Sequence, residues 1–89
     1  MKYLILCDMD FGSGKTDLSE LVMETWDECL TLCNTMNYRQ VRTDVGPSWN
    51  FGGSGQGGPQ TPGTCWCLGG ANKKVVPNRG SVVGVPIPP

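Results

Sequence analysis

The chain has 89 residues, a net charge of −1, 13 glycines, seven prolines and five cysteines, and it contains no histidine. A chain this short is one domain, residues 1–89, whose apolar core is thin enough to need covalent or metal help. No basic patch is present to neutralise phosphates, which excludes nucleic acid as a partner, and no apolar run is long enough to cross a bilayer, which excludes membrane insertion by a helix.

Lys2 to Cys7, within "MKYLILC", is aromatic and β-branched enough for a strand, buried on both faces if it is central. Asp8 ends this apolar run too early for a secretory h-region, so the expectation is either a signal peptide already removed or, the favoured reading, one module cut from a longer chain. The next stretch, "FGSGKTD", invites a nucleotide-binding reading. A P-loop places its first glycine five residues before the Gly-Lys pair, so that successive backbone N–H groups can curl around phosphate. That position is Met9, and Asp8 and Asp10 would face the anion, so the fragment is read as a turn. "DMD" fails as a paired-aspartate nucleophile site for want of a threonine two residues on. Residues 8–24 form a polar connection ending in "ELVME", either a helical turn or a short strand.

"TWDECLTLCNTMN", residues 25–37, is the clearest element. Thr25 and Glu28 form a capping box, Asp27 and Glu28 suit the helix N-terminus, and Trp26, Cys29, Leu30, Cys33 and Met36 fall on one helical stripe. Asn34 and Asn37 mark its fraying end. "YRQVRTDV", residues 38–45, alternates in part and predicts a strand. Residues 46–63 carry seven glycines and three prolines and predict a long loop. "TCWCLGG" (64–70) predicts a short strand, "NKKVVPNRG" a turn region, and "SVVGVPI" (81–87) a last strand, with residues 86–89 read as the start of a linker.

The cysteines carry most of the information. Cys29 and Cys33 share one helix face about 6 Å apart, and Cys65 and Cys67 share one strand face about 6.5–7 Å apart. A helix laid across that strand admits two disulfide rungs. Other arrangements stay open, including one in which Cys7 takes Cys67 and leaves Cys33 free. Four thiolates could instead hold zinc, although C-x3-C with C-x-C departs from the usual C-x2-C knuckle.

With those elements placed, "LCDMDFGSGKTDL", "TWDECLTLC" and "GTCWCL" together resemble the PAN/Apple-like modules of secreted fungal proteins, over about residues 3–70. The resemblance implies an α+β fold: a small disulfide-stabilised domain with a curved antiparallel sheet and one helix stapled to it. It implies a non-catalytic extracellular module that binds protein or carbohydrate, without a cofactor. One departure stands out: the family's cysteine in the strand after the helix is absent from residues 38–45, and Cys67 is read as its substitute.

No group is placed for catalysis, because Asp27 and Glu28 already have work at the helix cap and Asp8 and Asp10 are turn residues. Trp49, Asn50 and Phe51, on the glycine-rich loop, are the candidate ligand-binding residues, exposed for stacking on a sugar or a protein. The competing reading folds Trp49 back over the sheet. Trp26 and Trp66 are assigned to the core. A small secreted effector and a purely structural spacer are the alternative functions.

Overall fold

The computed structural model describes residues 1–50 and 62–88. The element order is β1 (Lys2–Phe11), β2 (Thr16–Met23), α1 (Trp26–Arg39), β3 (Gly46–Asn50), β4 (Gly63–Gly69) and β5 (Val75–Ile87). The strands form one antiparallel sheet in the order β1-β5-β3-β4-β2, with α1 packed chiefly on β3 and β4. This is a small α+β domain braced by disulfides.

The helix begins where its cap chemistry puts it. Thr25 keeps extended backbone and its hydroxyl accepts from the Glu28 amide at 3.2 Å. Trp26, Cys29 and Cys33 are buried on the inner stripe, with Leu30 and Met36 packed against the same cluster. Cys29 bonds to Cys65 and Cys33 to Cys67, with Cα separations of 5.5 and 5.3 Å. One helical turn on α1 therefore matches two residues on β4.

Several expectations from the sequence change in the structure. First, the strand expected at Lys2 to Cys7 is present as β1 but takes an edge place, so the two-sided burial of a central strand does not arise, and Leu4 and Ile5 are 52% and 42% exposed. Second, the polar connection 8–24 contains a full strand, β2, whose alternation is blurred by an irregularity between Asp17 and Ser19. Third, residues 38–45 are not a strand; α1 runs on to Arg39 and the chain turns before β3. Fourth, β5 starts six residues earlier than the predicted 81–87, at Val75.

The glycine and proline content of 46–63 conceals the innermost strand. Gly46, Pro47, Ser48 and Trp49 are all buried, and β3 lies between β5 and β4. Gly46 is required there by close approach: a Cβ would lie 2.5 Å from the Gly84 carbonyl oxygen. Pro47 lies one residue before the pairing of β3 with β5 begins at Ser48, and Gly84 beside it leaves the ring its room, since a Cβ there would lie 3.0 Å from Pro47 Cγ.

The sheet is folded over on itself. Cys7 pairs with Val82 and Met9 with Pro77, so Asp8 alone opposes residues 78–81. Asp8 takes a positive φ of 57° at this bulge, and its carboxylate accepts from the Gly80 amide at 3.1 Å. Beyond it the β1–β5 ribbon reaches across the face opposite the helix. Asp10 accepts from the Ser48 hydroxyl at 2.7 Å, and Phe11 joins Leu68 and Val83 in a second core cluster. The turns after β1 and β4 abut so closely that a Cβ on Gly70, at φ 118°, would meet the Gly14 carbonyl oxygen.

Candidate functional site

The helix and the sheet diverge at the C-terminal end of α1, and the chain closes the gap with a short, highly specified turn. The Val41 amide donates to the Tyr38 carbonyl at 3.5 Å and the Arg42 amide to the Asn37 carbonyl at 2.8 Å. These are the two bonds of a Schellman motif, in which the residue at Val41's position takes a left-handed conformation. Glycine ordinarily serves there. Valine does here, at φ 52°, with its side chain 93% exposed.

Asn37 holds this turn to the sheet. Its side chain accepts from the Val45 amide at 2.9 Å and donates to the Val45 carbonyl at 2.9 Å, an imitation of a strand pair made by one carboxamide. The same amide nitrogen lies 2.8 Å from the Tyr3 hydroxyl, which donates to Asn34 at 3.4 Å. Burial raises the Tyr3 pKa, with the Asn37 hydrogen bond opposing it. The sequence suggests a fraying end at Asn37, whereas Asn37 is 3% exposed and is the pin between helix end and sheet. Its i, i+4 spacing from buried Cys33 was the signal in the sequence.

On the other side of the turn, Arg42 grips Asp44 through two bonds of 2.8 Å, and the Gly70 amide donates to the same carboxylate. These bonds, that of Arg42 foremost, hold the Asp44 carboxyl well below the usual carboxylate range. Lys73 donates to the Asp44 and Gly70 carbonyls and lies over the Phe11 ring, and burial lowers its pKa.

The result is an open groove of about 990 Å³ between the end of α1, the start of β1 and the end of β5. Met1, Tyr38, Val41 and Ile87 supply apolar walls, and Asn34 and Thr43 supply polar points. Tyr38 is 88% exposed. Lys2 and Arg42 also line it, and none of its lining residues is acidic. Two of its polar residues are already committed, Arg42 to Asp44 and Asn37 to Val45, which leaves a predominantly apolar surface.

The residues singled out in the sequence fall elsewhere. Trp49 is fully buried beside the Cys29–Cys65 bridge and opposite Cys65 in the sheet, so it fills the core rather than presenting a ring to solvent. Its indole nitrogen is buried without a hydrogen-bond partner among the described residues. Asn50 ends β3 and is partly buried, and Phe51 lies outside the described residues. The sulfurs of Cys29, Cys33 and Cys65 lie within 4.8 Å of one another because they are engaged in the two bridges, which leaves no thiolate there for an ion. Cys7 is a free, exposed thiol on β1. Lys15 donates to the Phe11 carbonyl and Thr16 opens a strand rather than a helix, so the "GSGKT" fragment has no phosphate cradle.

Among the described residues no helix is long and apolar enough to cross a membrane. Comparison with protein-family models, curated proteins and solved structures returns no match.

Proposed function

We propose that this chain is a non-catalytic extracellular module, PAN/Apple-like in kind, that binds a partner protein in the groove at the end of α1. The observation that carries the reading is the pair Tyr38 and Val41. Both are almost wholly exposed on one rim, and Val41 holds a strained backbone conformation that glycine would adopt more easily. An exposed β-branched residue kept in a left-handed turn has no packing role, so contact with a partner is the role left to it.

Protein is favoured over carbohydrate as the ligand. Sugar sites set carboxylates and amides around an aromatic platform, whereas this groove has no acid among its lining residues, and of its two amides Asn37 is committed to Val45 and Asn34 accepts from Tyr3. Aliphatic walls, one tyrosine and scattered hydroxyls suit an extended peptide segment with an apolar anchor. Lys2 on the rim disfavours a basic segment. Two disulfides agree with an oxidising, extracellular setting.

Selection of displayed random peptides on the immobilised protein tests this. The expected product is a set of peptides sharing one bulky apolar residue and lacking clustered lysine or arginine, whose binding falls at least tenfold on Tyr38→Ala or Val41→Ser. Peptides that bind both variants as well as the parent, or a glycan array that binds where peptides do not, would overturn the assignment.

A further inference from the structure

The outer edge of β1 is unpaired among the described residues, and it is not protected in the usual way. Edge strands are blunted by brevity, proline or charges pointing inward. From Lys2 to Cys7 β1 is instead regular and apolar, with Leu4 and Ile5 about half exposed and Cys7 exposed. Its only charges are at the two ends of that stretch, Lys2 at one and Asp8, at the bulge, at the other.

That arrangement is self-complementary. When an edge strand pairs antiparallel with a copy of itself, residues whose backbone groups point outward must meet residues of the same kind, so paired positions sum to an even number. Centring the two-fold on Ile5 sets Ile5 opposite Ile5, Leu4 opposite Leu6, Tyr3 opposite Cys7 and Lys2 opposite Asp8. Centring on Leu4 sets Lys2 against Leu6. Centring on Leu6 leaves Lys2 to seek Asp10 beyond the kink at Asp8, where regular pairing ends. The register on Ile5 alone sets Lys2 against an opposite charge no further along the strand than the bulge itself, where the Asp8 carboxylate also accepts from the Gly80 amide.

The opposite edge has no such solution. β2 carries Asp17 and Glu20 and no basic residue, so no register of two copies sets opposite charges against one another.

We propose that two copies of this chain associate through their β1 edges in the register centred on Ile5, which extends the sheet across the two-fold and places both helices on the same side. The contact covers Leu4 and Ile5 of each copy and leaves Tyr38 and Val41 free, while Lys2, at its end, is shared with the rim of the groove.

Sedimentation equilibrium over a concentration series reads the association, and engineered cysteines read the register. With Cys7→Ser as the parent, Ile5→Cys is expected to form a covalent dimer in oxidised glutathione, the two thiols giving up two protons and two electrons as the glutathione disulfide is reduced to two thiols. Leu4→Cys, whose partner is Leu6, is expected to remain largely free of the covalent cross-link under the same conditions. Ile5→Lys, at an exposed position, is expected to weaken association at least tenfold without lowering the melting temperature. A wild-type chain that stays monomeric to millimolar concentration, or a Leu4→Cys variant that cross-links as fast as Ile5→Cys, would overturn the proposal.

Discussion

Replacing Val41 with glycine should make this protein more stable, although the change removes a side chain. Val41 sits at φ 52°, where a residue with a Cβ is disfavoured by about 1–2 kcal/mol. Its side chain is 93% exposed, so almost no packing is lost with it. Against the gain stands glycine's greater freedom in the unfolded chain, which costs about 0.4–1 kcal/mol. The balance is a stabilisation of about 0.5–1 kcal/mol, equivalent to a rise of about 2–8 °C in the melting temperature of a domain this size. Thermal melts by circular dichroism and urea midpoints measure it. Val41→Asn should also stabilise, because asparagine tolerates the left-handed region without glycine's entropic penalty. A Val41→Gly protein that melts at or below the parent would refute the Schellman geometry at the end of α1. If the groove binds as proposed, the same substitution should weaken peptide binding while raising the melting temperature, and that opposition separates a functional residue from a merely tolerated one.

Three further outcomes follow from other parts of the structure. Replacing Cys33 and Cys67 together with alanine opens a loop of 34 residues and should destabilise the protein by about 4 kcal/mol, read as a drop in the urea midpoint. Asn37→Ala leaves the buried amide and carbonyl of Val45 unpaired and should cost about 2–4 kcal/mol, with accelerated amide exchange concentrated at residues 40–46; a uniform loss of protection would contradict the local role given to Asn37. Asp44 binds its proton less readily in the folded protein than in the unfolded chain, so its contribution to stability is complete above about pH 4 and drains away as the pH falls further. Asp44→Asn should flatten that acid limb of the stability curve and leave its slope above pH 5 unchanged.

The helix and its bridges were legible in the sequence because each rests on a local rule: Thr25 before an acidic first turn, and cysteines spaced four apart on a helix and two apart on a strand. The missed strands share a different cause. β2 was obscured because its alternation is interrupted between Asp17 and Ser19 and because Leu21 and Val22 remain exposed on an edge. β3 was obscured because Gly46 and Pro47 look like loop residues, yet glycine is there to let strands approach and Trp49 is there to fill the core. Tertiary packing decided both, and no window of a few residues contains it. The groove was invisible for the same reason. Tyr38, Val41 and Ile87 meet only after the bulge at Asp8 has shaped the β1–β5 ribbon and Asn37 has fastened the helix end. The only trace of it in the chain is a valine where a helix stop would ordinarily place glycine.

The bridges fix α1 at two points along its length, so it can neither roll nor slide on the sheet. Cys33 is the last of these fixings, and everything from Asn34 to Val41 projects past it like a bracket arm with Asn37 as its prop. One wall of the groove is therefore only as stiff as a sulfur bond and a carboxamide make it. Loosening either would let that arm swing and the groove widen, while the strands behind it kept their order.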